Sequence, residues 1–143
     1  MPRRLIAKAE ITVNAPVSKV WDTLTNPVTV KQLMFGADVI TDWKEGSTII
    51  YKGIWQGKPF EDKGKVVTFQ PEKLLVTTHW SPLSGTADAP ENYHTVSYEL
   101  SSENNVTHII LTQDNNTTED EKKHSESNWN IMLGNLKKIV EKE

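Results

Sequence analysis

Imidazole both moves protons near neutral pH and binds metals, so the four histidines are where chemistry would first be sought. His79, His94, His108 and His124 show no His-x-x-x-His or His-Glu-x-x-His spacing, and the chain has no cysteine. No metal site is expected from that set of donors. His79 and His94 alternate with apolar neighbours, so each points either outward or toward an interior; His108 and His124 read as solvated. There is no Gly-x-Ser-x-Gly elbow and no Gly-rich phosphate loop, and Gly46-Ser47-Thr48 reads as a turn. Glu119-Asp120-Glu121 is accounted for by helix capping, and the Asn-x-Thr triplets at Asn105, Asn115 and Asn116 accept glycans only in a secreted protein. No catalytic residue and no cofactor is expected.

What remains is binding. Trp21, Trp43, Trp55, Trp80 and Trp129 are many tryptophans for one small chain, and such side chains line cores, pockets and interfaces. Near the C-terminus, Trp129, Met132, Leu133, Leu136, Ile139 and Val140 fall on one helical stripe. Continued backwards, the same face carries Glu126, Ser125 and Lys122. Burying an unpaired charge there would be expensive. Either the helix end projects past its packing partner, or these residues stand over a cavity mouth, which Gln113 and Asp114 would share.

The elements that must position these residues follow from periodicity. Leu5, Ala7, Ala9, Ile11 and Val13 alternate with polar residues, a half-buried strand. Pro16 suits a first helical position, and Val17, Val20, Trp21 and Leu24 make an apolar helical face. Asn26-Pro27 caps a second short helix, buried through Val30, Leu33 and Met34 and ended by Gly36. From Asp38 to Asp114 the chain reads as strands: Thr48–Trp55, Phe60–Phe69 with a bulge or close approach at Gly64, Leu74–Trp80, Tyr93–Leu100 and Val106–Gln113. Ser101–Asn105 is the expected turn of the last hairpin. Thr118 with Glu121 forms a capping box for the long final helix, on which Gly134 lies off the stripe.

Strands and helices are segregated, so the class is α+β: one antiparallel sheet of about six to seven strands, two short helices after the first strand, and a long C-terminal helix to cover the inner face. At 143 residues, with no dividing linker, residues 1–143 are expected to form one domain. The net charge of −3 comes from interspersed signs without a basic stripe, which argues against nucleic acid. No window approaches the roughly 18 apolar residues of a membrane span, and Lys8 and Glu10 interrupt the N-terminal apolar run too early for a signal peptide. With no cysteine, a cytoplasmic location is the expectation.

The segment Ile11-Thr-Val-Asn-Ala-Pro-Val-Ser-Lys-Val-Trp-Asp-Thr-Leu-Thr-Asn-Pro27 resembles the opening of START-like (SRPBCC, helix-grip) proteins. Trp43-Lys-Glu-Gly46, Gly64-Lys-Val-Val-Thr-Phe-Gln-Pro-Glu-Lys-Leu74, Thr107-His-Ile-Ile-Leu-Thr112 and Trp129 with Leu133 and Leu136 extend the similarity along the chain. The branch it most resembles is the C-terminal domain of the activator of the heat-shock chaperone ATPase. It departs from that pattern at Asn128, where relatives carry Gly, and at Gln113–Asn116, where they carry His followed by Gly and an aromatic.

The resemblance implies a curved sheet gripping the last helix around a cavity for a small hydrophobic molecule. It implies Val96, Tyr98, Leu100, Ile109 and Leu111 pointing inward. The expected ligand-contacting set is Trp55, Val96, Tyr98, Ile109, Leu111, Gln113, Ser125, Trp129, Met132 and Leu133, with Tyr98, Gln113 and Ser125 orienting the ligand. Two alternatives stand beside it: a module that binds a chaperone or another protein, and an enzyme of cyclase or hydrolase type, which would need an acid or base inside the cavity.

Overall fold

The computed structural model describes residues 5–33, 36–82 and 85–141. Met34 lies outside them, as does the side chain of Trp55. The chain runs as strand β1 (Leu5–Val13), helices α1 (Val17–Thr25) and α2 (Pro27–Leu33), strands β2 (Asp38–Ile40), β3 (Thr48–Trp55), β4 (Lys58–Gln70), β5 (Leu74–His79), β6 (His94–Glu103) and β7 (Val106–Asn116), and helix α3 (Glu119–Glu141). The strands form one seven-stranded sheet in the order β1-β7-β6-β5-β4-β3-β2, antiparallel throughout. This is the α+β, helix-grip architecture.

Local chemistry explains the boundaries. Pro16 is the N-cap of α1 rather than its first residue, in extended backbone. Asn26 ends α1, also extended as a residue before proline must be, and its side chain accepts the Val28 N–H at 2.9 Å to start α2. The β6–β7 turn is tighter than the expected Ser101–Asn105. The strands continue to Glu103 and Val106, and only Asn104 and Asn105 turn, both at positive φ (52° and 63°), as a two-residue hairpin turn demands. The capping box of α3 forms by half: Thr118 accepts the Glu121 N–H, while the Glu121 carboxylate takes the Thr117 hydroxyl.

Gly64 is a close approach. A Cβ there would stand 1.7 Å from the Thr78 carbonyl oxygen, and the β4–β5 register shifts just beyond it, between Val66 and Thr68.

α3 lies along β1 and β7. Ala7 and Ala9 on β1 are small, which lets the helix come close; Met132, Leu133, Leu136 and Val140 then pack with Val13, Val96, Tyr98, Leu100, Ile109 and Leu111. A second cluster of Val30, Val39, Ile49 and Val66 puts α2 over the opposite end of the sheet. Trp43 and Phe69 touch both clusters, and the Trp43 indole N–H donates to the Thr25 carbonyl at 2.9 Å.

Candidate functional site

Alternation along each strand decides which residues look inward, and register decides which of them meet. Tyr51 is opposite Asp62, and Gly53 opposite Phe60. On the next strand, His79 shares its face with the buried Leu75 and Thr77. The register therefore gathers three residues far apart in sequence on the concave face. His79 Nε2 lies 2.9 Å from Asp62 Oδ2, and the Tyr51 and His79 rings meet edge to face at 6.0 Å. The Phe60 ring lies over Gly53, whose missing side chain leaves it room.

This cluster is deep yet open. The Asp62 side chain keeps 15% of its exposure and that of His79 36%. Asp62 Oδ1 is buried and has no hydrogen-bond partner. A buried acceptor left unpaired costs about 1–3 kcal/mol, so a missing donor is the natural reading of that oxygen. Burial, with the Asp62 carboxylate adding to it, pushes the Tyr51 phenol up to about 12. Burial and the nearby Tyr51 push the Tyr98 phenol up as well. Both tyrosines are therefore neutral hydroxyls at pH 7, able to donate and accept.

On the other side of the concavity, Trp129 of α3 stands edge to face with Tyr98 at 6.4 Å. Its indole N–H donates to Gln113 Oε1 at 2.5 Å. Gln113 Nε2 reaches Ser125 Oγ at 3.5 Å; the Ser125 hydroxyl donates to Asn116 Oδ1 at 3.0 Å; and Asn116 Nδ2 donates to the Leu5 and Gln113 carbonyls. This polar chain locks the first half of α3 to the end of β7.

Of the residues expected to touch a ligand, Tyr98, Gln113, Ser125 and Trp129 stand together at this junction, with Gln113 and Ser125 engaged in the chain. Val96, Ile109, Leu111, Met132 and Leu133 are between 0 and 3% exposed and pack on one another in the core. Trp55 ends β3, its side chain outside the described residues.

Glu126 does not stand over the concavity: its carboxylate accepts the Lys8 N–H of β1 at 3.0 Å and pairs with Lys122 at 3.6 Å. Farther along α3, Lys137 donates to the Thr12 carbonyl and Glu141 accepts the Asn14 N–H. Of the interrupted stripe, Ser125 thus turns to β7, while Glu126, held by Lys122, joins Lys137 and Glu141 in covering the free edge of β1.

Tyr51 and Asp62 escaped sequence reasoning. The available signal was Phe60, Asp62, Gly64 and Val66 at alternate positions of one strand, a charge on an otherwise apolar face. His94, left open between two orientations, binds the Asp114 carbonyl through Nδ1 at 2.8 Å. Among the described residues, no group of three or more His, Asp or Glu side chains is placed to hold a metal, and no helix is long and apolar enough to cross a membrane.

Residues 14–141 match a family model described as Activator of Hsp90 ATPase homolog 1-like protein. A solution structure of a Cytophaga hutchinsonii protein is 50% identical over 99% of this chain and 97% of its own, with a TM-score of 0.87. The Aha1 dimer from Colwellia psychrerythraea is 24% identical over 95% of this chain and 96% of that one, with a TM-score of 0.74. DynU16, a protein of the dynemicin biosynthetic locus, is 18% identical over 95% of this chain and 47% of its own, with a TM-score of 0.77. These last two likenesses speak to the fold alone. No curated protein matches.

Proposed function

We propose, for a chain that belongs to the Activator of Hsp90 ATPase homolog 1-like family, that it binds a small, mainly apolar molecule on the concave face between β3–β5 and the first half of α3. Trp129, Phe60 and the faces of Tyr51 and Tyr98 are the apolar walls. Asp62, His79 and the two tyrosine hydroxyls are the few convergent polar groups that fix orientation, the usual composition of a small-molecule site. Asp62 Oδ1, buried and unpartnered among apolar and aromatic neighbours, carries this reading.

Native mass spectrometry of the purified chain, followed by calorimetric titration with apolar compounds, is the test. The expected result is one-to-one binding that weakens when Trp129 is replaced by alanine. Absence of binding across a broad apolar set would count against the proposal.

A second reading, docking on another protein, draws on the family description and on Ile40 and Ile54, which are 52 and 72% exposed at the sheet margin formed by β2 and β3. It predicts that the chain raises the ATPase rate of an Hsp90-type chaperone and that Ile54→Asp weakens this effect. An unchanged rate at saturating protein contradicts it.

A further inference from the structure

The polar groups on the concave face restrict what kind of apolar molecule fits, and we infer that the ligand is a neutral molecule bearing a hydroxyl, which donates its proton to Asp62 Oδ1 and accepts from a tyrosine hydroxyl. This rests on the binding reading above and narrows it.

Four features of the site lead there. Asp62 Oδ2 is already engaged by His79 Nε2 at 2.9 Å, so the carboxylate is held in place with only its other oxygen to offer. Oδ1 can only accept when the carboxylate is ionised, so the ligand must bring a donor. The phenols of Tyr51 and Tyr98 stay protonated at neutral pH, and neither makes a hydrogen bond to another described residue. A group beside Asp62 and the Tyr51 opposite it therefore has a donor to satisfy as well as an acceptor.

A hydroxyl does both in one atom. An ammonium only donates, and would leave the tyrosine protons without an acceptor. A carboxylate would face Asp62 with like charge in a partly desolvated place, where repulsion is poorly screened. The titratable groups that face Asp62 are His79 from β5 beside it and the neutral Tyr51 from β3 opposite. Glu61 and Lys63, its neighbours along β4, alternate to the outer face with Lys65, Glu61 pairing with Lys52 and Lys63 with Asp88. Among the described residues gathered on this face, Tyr51, Phe60, Asp62, His79, Tyr98 and Trp129, none is a lysine or arginine, so an anionic amphiphile finds no fixed cation among them.

The test compares one ring system with four substituents on the unaltered protein at pH 7: naphthalene, 2-naphthol, 2-methoxynaphthalene and 2-naphthoate, each titrated by calorimetry. 2-Naphthol is expected to bind about tenfold or more tightly than naphthalene, since it gives a hydrogen bond to a charged acceptor. The methoxy compound, which can accept from the tyrosine but cannot donate to Asp62, should bind well below 2-naphthol, and the naphthoate about tenfold or more weakly than 2-naphthol. In Asp62→Asn the ratio of naphthol to naphthalene affinity should fall several-fold. Because the readout is a ratio within one protein, a general loss of affinity does not imitate it, and the wild-type series decides the matter if that variant does not fold.

Equal binding of naphthalene and naphthol, or of the methoxy and hydroxy compounds, overturns the hydroxyl inference and leaves the apolar binding face standing. Tightest binding by the naphthoate overturns it in the same way. No binding by any of the four removes the face itself.

Discussion

One sheet, two interiors. Where α3 covers it, the inward residues include Val13, Val96, Ile109 and Leu111, between 0 and 3% exposed, and the buried polar ones on β7, Thr107 and Gln113, are both hydrogen-bonded. Where α3 does not reach, over the far halves of β3, β4 and β5, the same alternation delivers Tyr51, Phe60, Asp62 and His79, and all four keep some exposure. The strands follow one rule of pleating, and only the identity of the inward residue changes. A face intended to be filled has no use for a carboxylate. The difference separates the part of the inner surface that holds the protein together from the part free to hold something else.

Substitutions should separate the two halves, the largest effect lying under the helix. Leu136 is fully buried between α3 and the sheet, and Leu136→Ala should lower the unfolding free energy by about 2–5 kcal/mol in urea titrations. Gly64→Ala should follow, at about 1–3 kcal/mol or somewhat more, because the new methyl meets the Thr78 backbone and not a movable side chain.

Alkali should act through the two inward tyrosines, one in each half. Tyr51 and Tyr98 have folded-state values raised above the ordinary 10. Their contribution to stability is therefore fully present below pH 10 and is lost as pH rises through the folded values. The melting temperature should fall above pH 10, and less steeply in Tyr51→Phe; an unaltered profile in that variant would remove Tyr51 from the explanation.

Glu126→Ala should cost no more than about 1 kcal/mol, since it frees one exposed strand-edge N–H at Lys8. Smallest of all, Asp62→Asn should change stability by less than about 1 kcal/mol, because the amide oxygen can keep the His79 contact while the charge beside an unpaired buried oxygen is removed. If Asp62→Asn proves as damaging as Leu136→Ala, the two halves are one core and the comparison fails.

The covered half was legible from sequence because its information is local. The spacing of Met132, Leu133, Leu136 and Val140 specifies a helix face, and the alternation from Leu5 to Val13 specifies a strand face, with no knowledge of partners. The open half is defined by pairing. Tyr51, Asp62 and His79 come together only once β3, β4 and β5 are aligned, and a shift of one residue would turn them outward. Asp62 was visible as a charge between Phe60 and Gly64, but nothing local tells an inward carboxylate from a surface one.

Glu126 misled for a related reason. On the helix it continues the buried stripe, and its true partner, the Lys8 N–H, is free only because β1 is an edge strand. That fact belongs to the order of the sheet.

Chemical-shift mapping of the isotopically labelled protein during titration with 2-naphthol shows which half of the inner face takes up a ligand. The largest changes are expected at Tyr51, Asp62, His79, Tyr98 and the Trp129 indole N–H, with the methyls of Leu136 and Val140 nearly still. Changes centred on Ile40, Ile54 or Ile131 of the outer surface, with the concave face silent, would contradict this expectation.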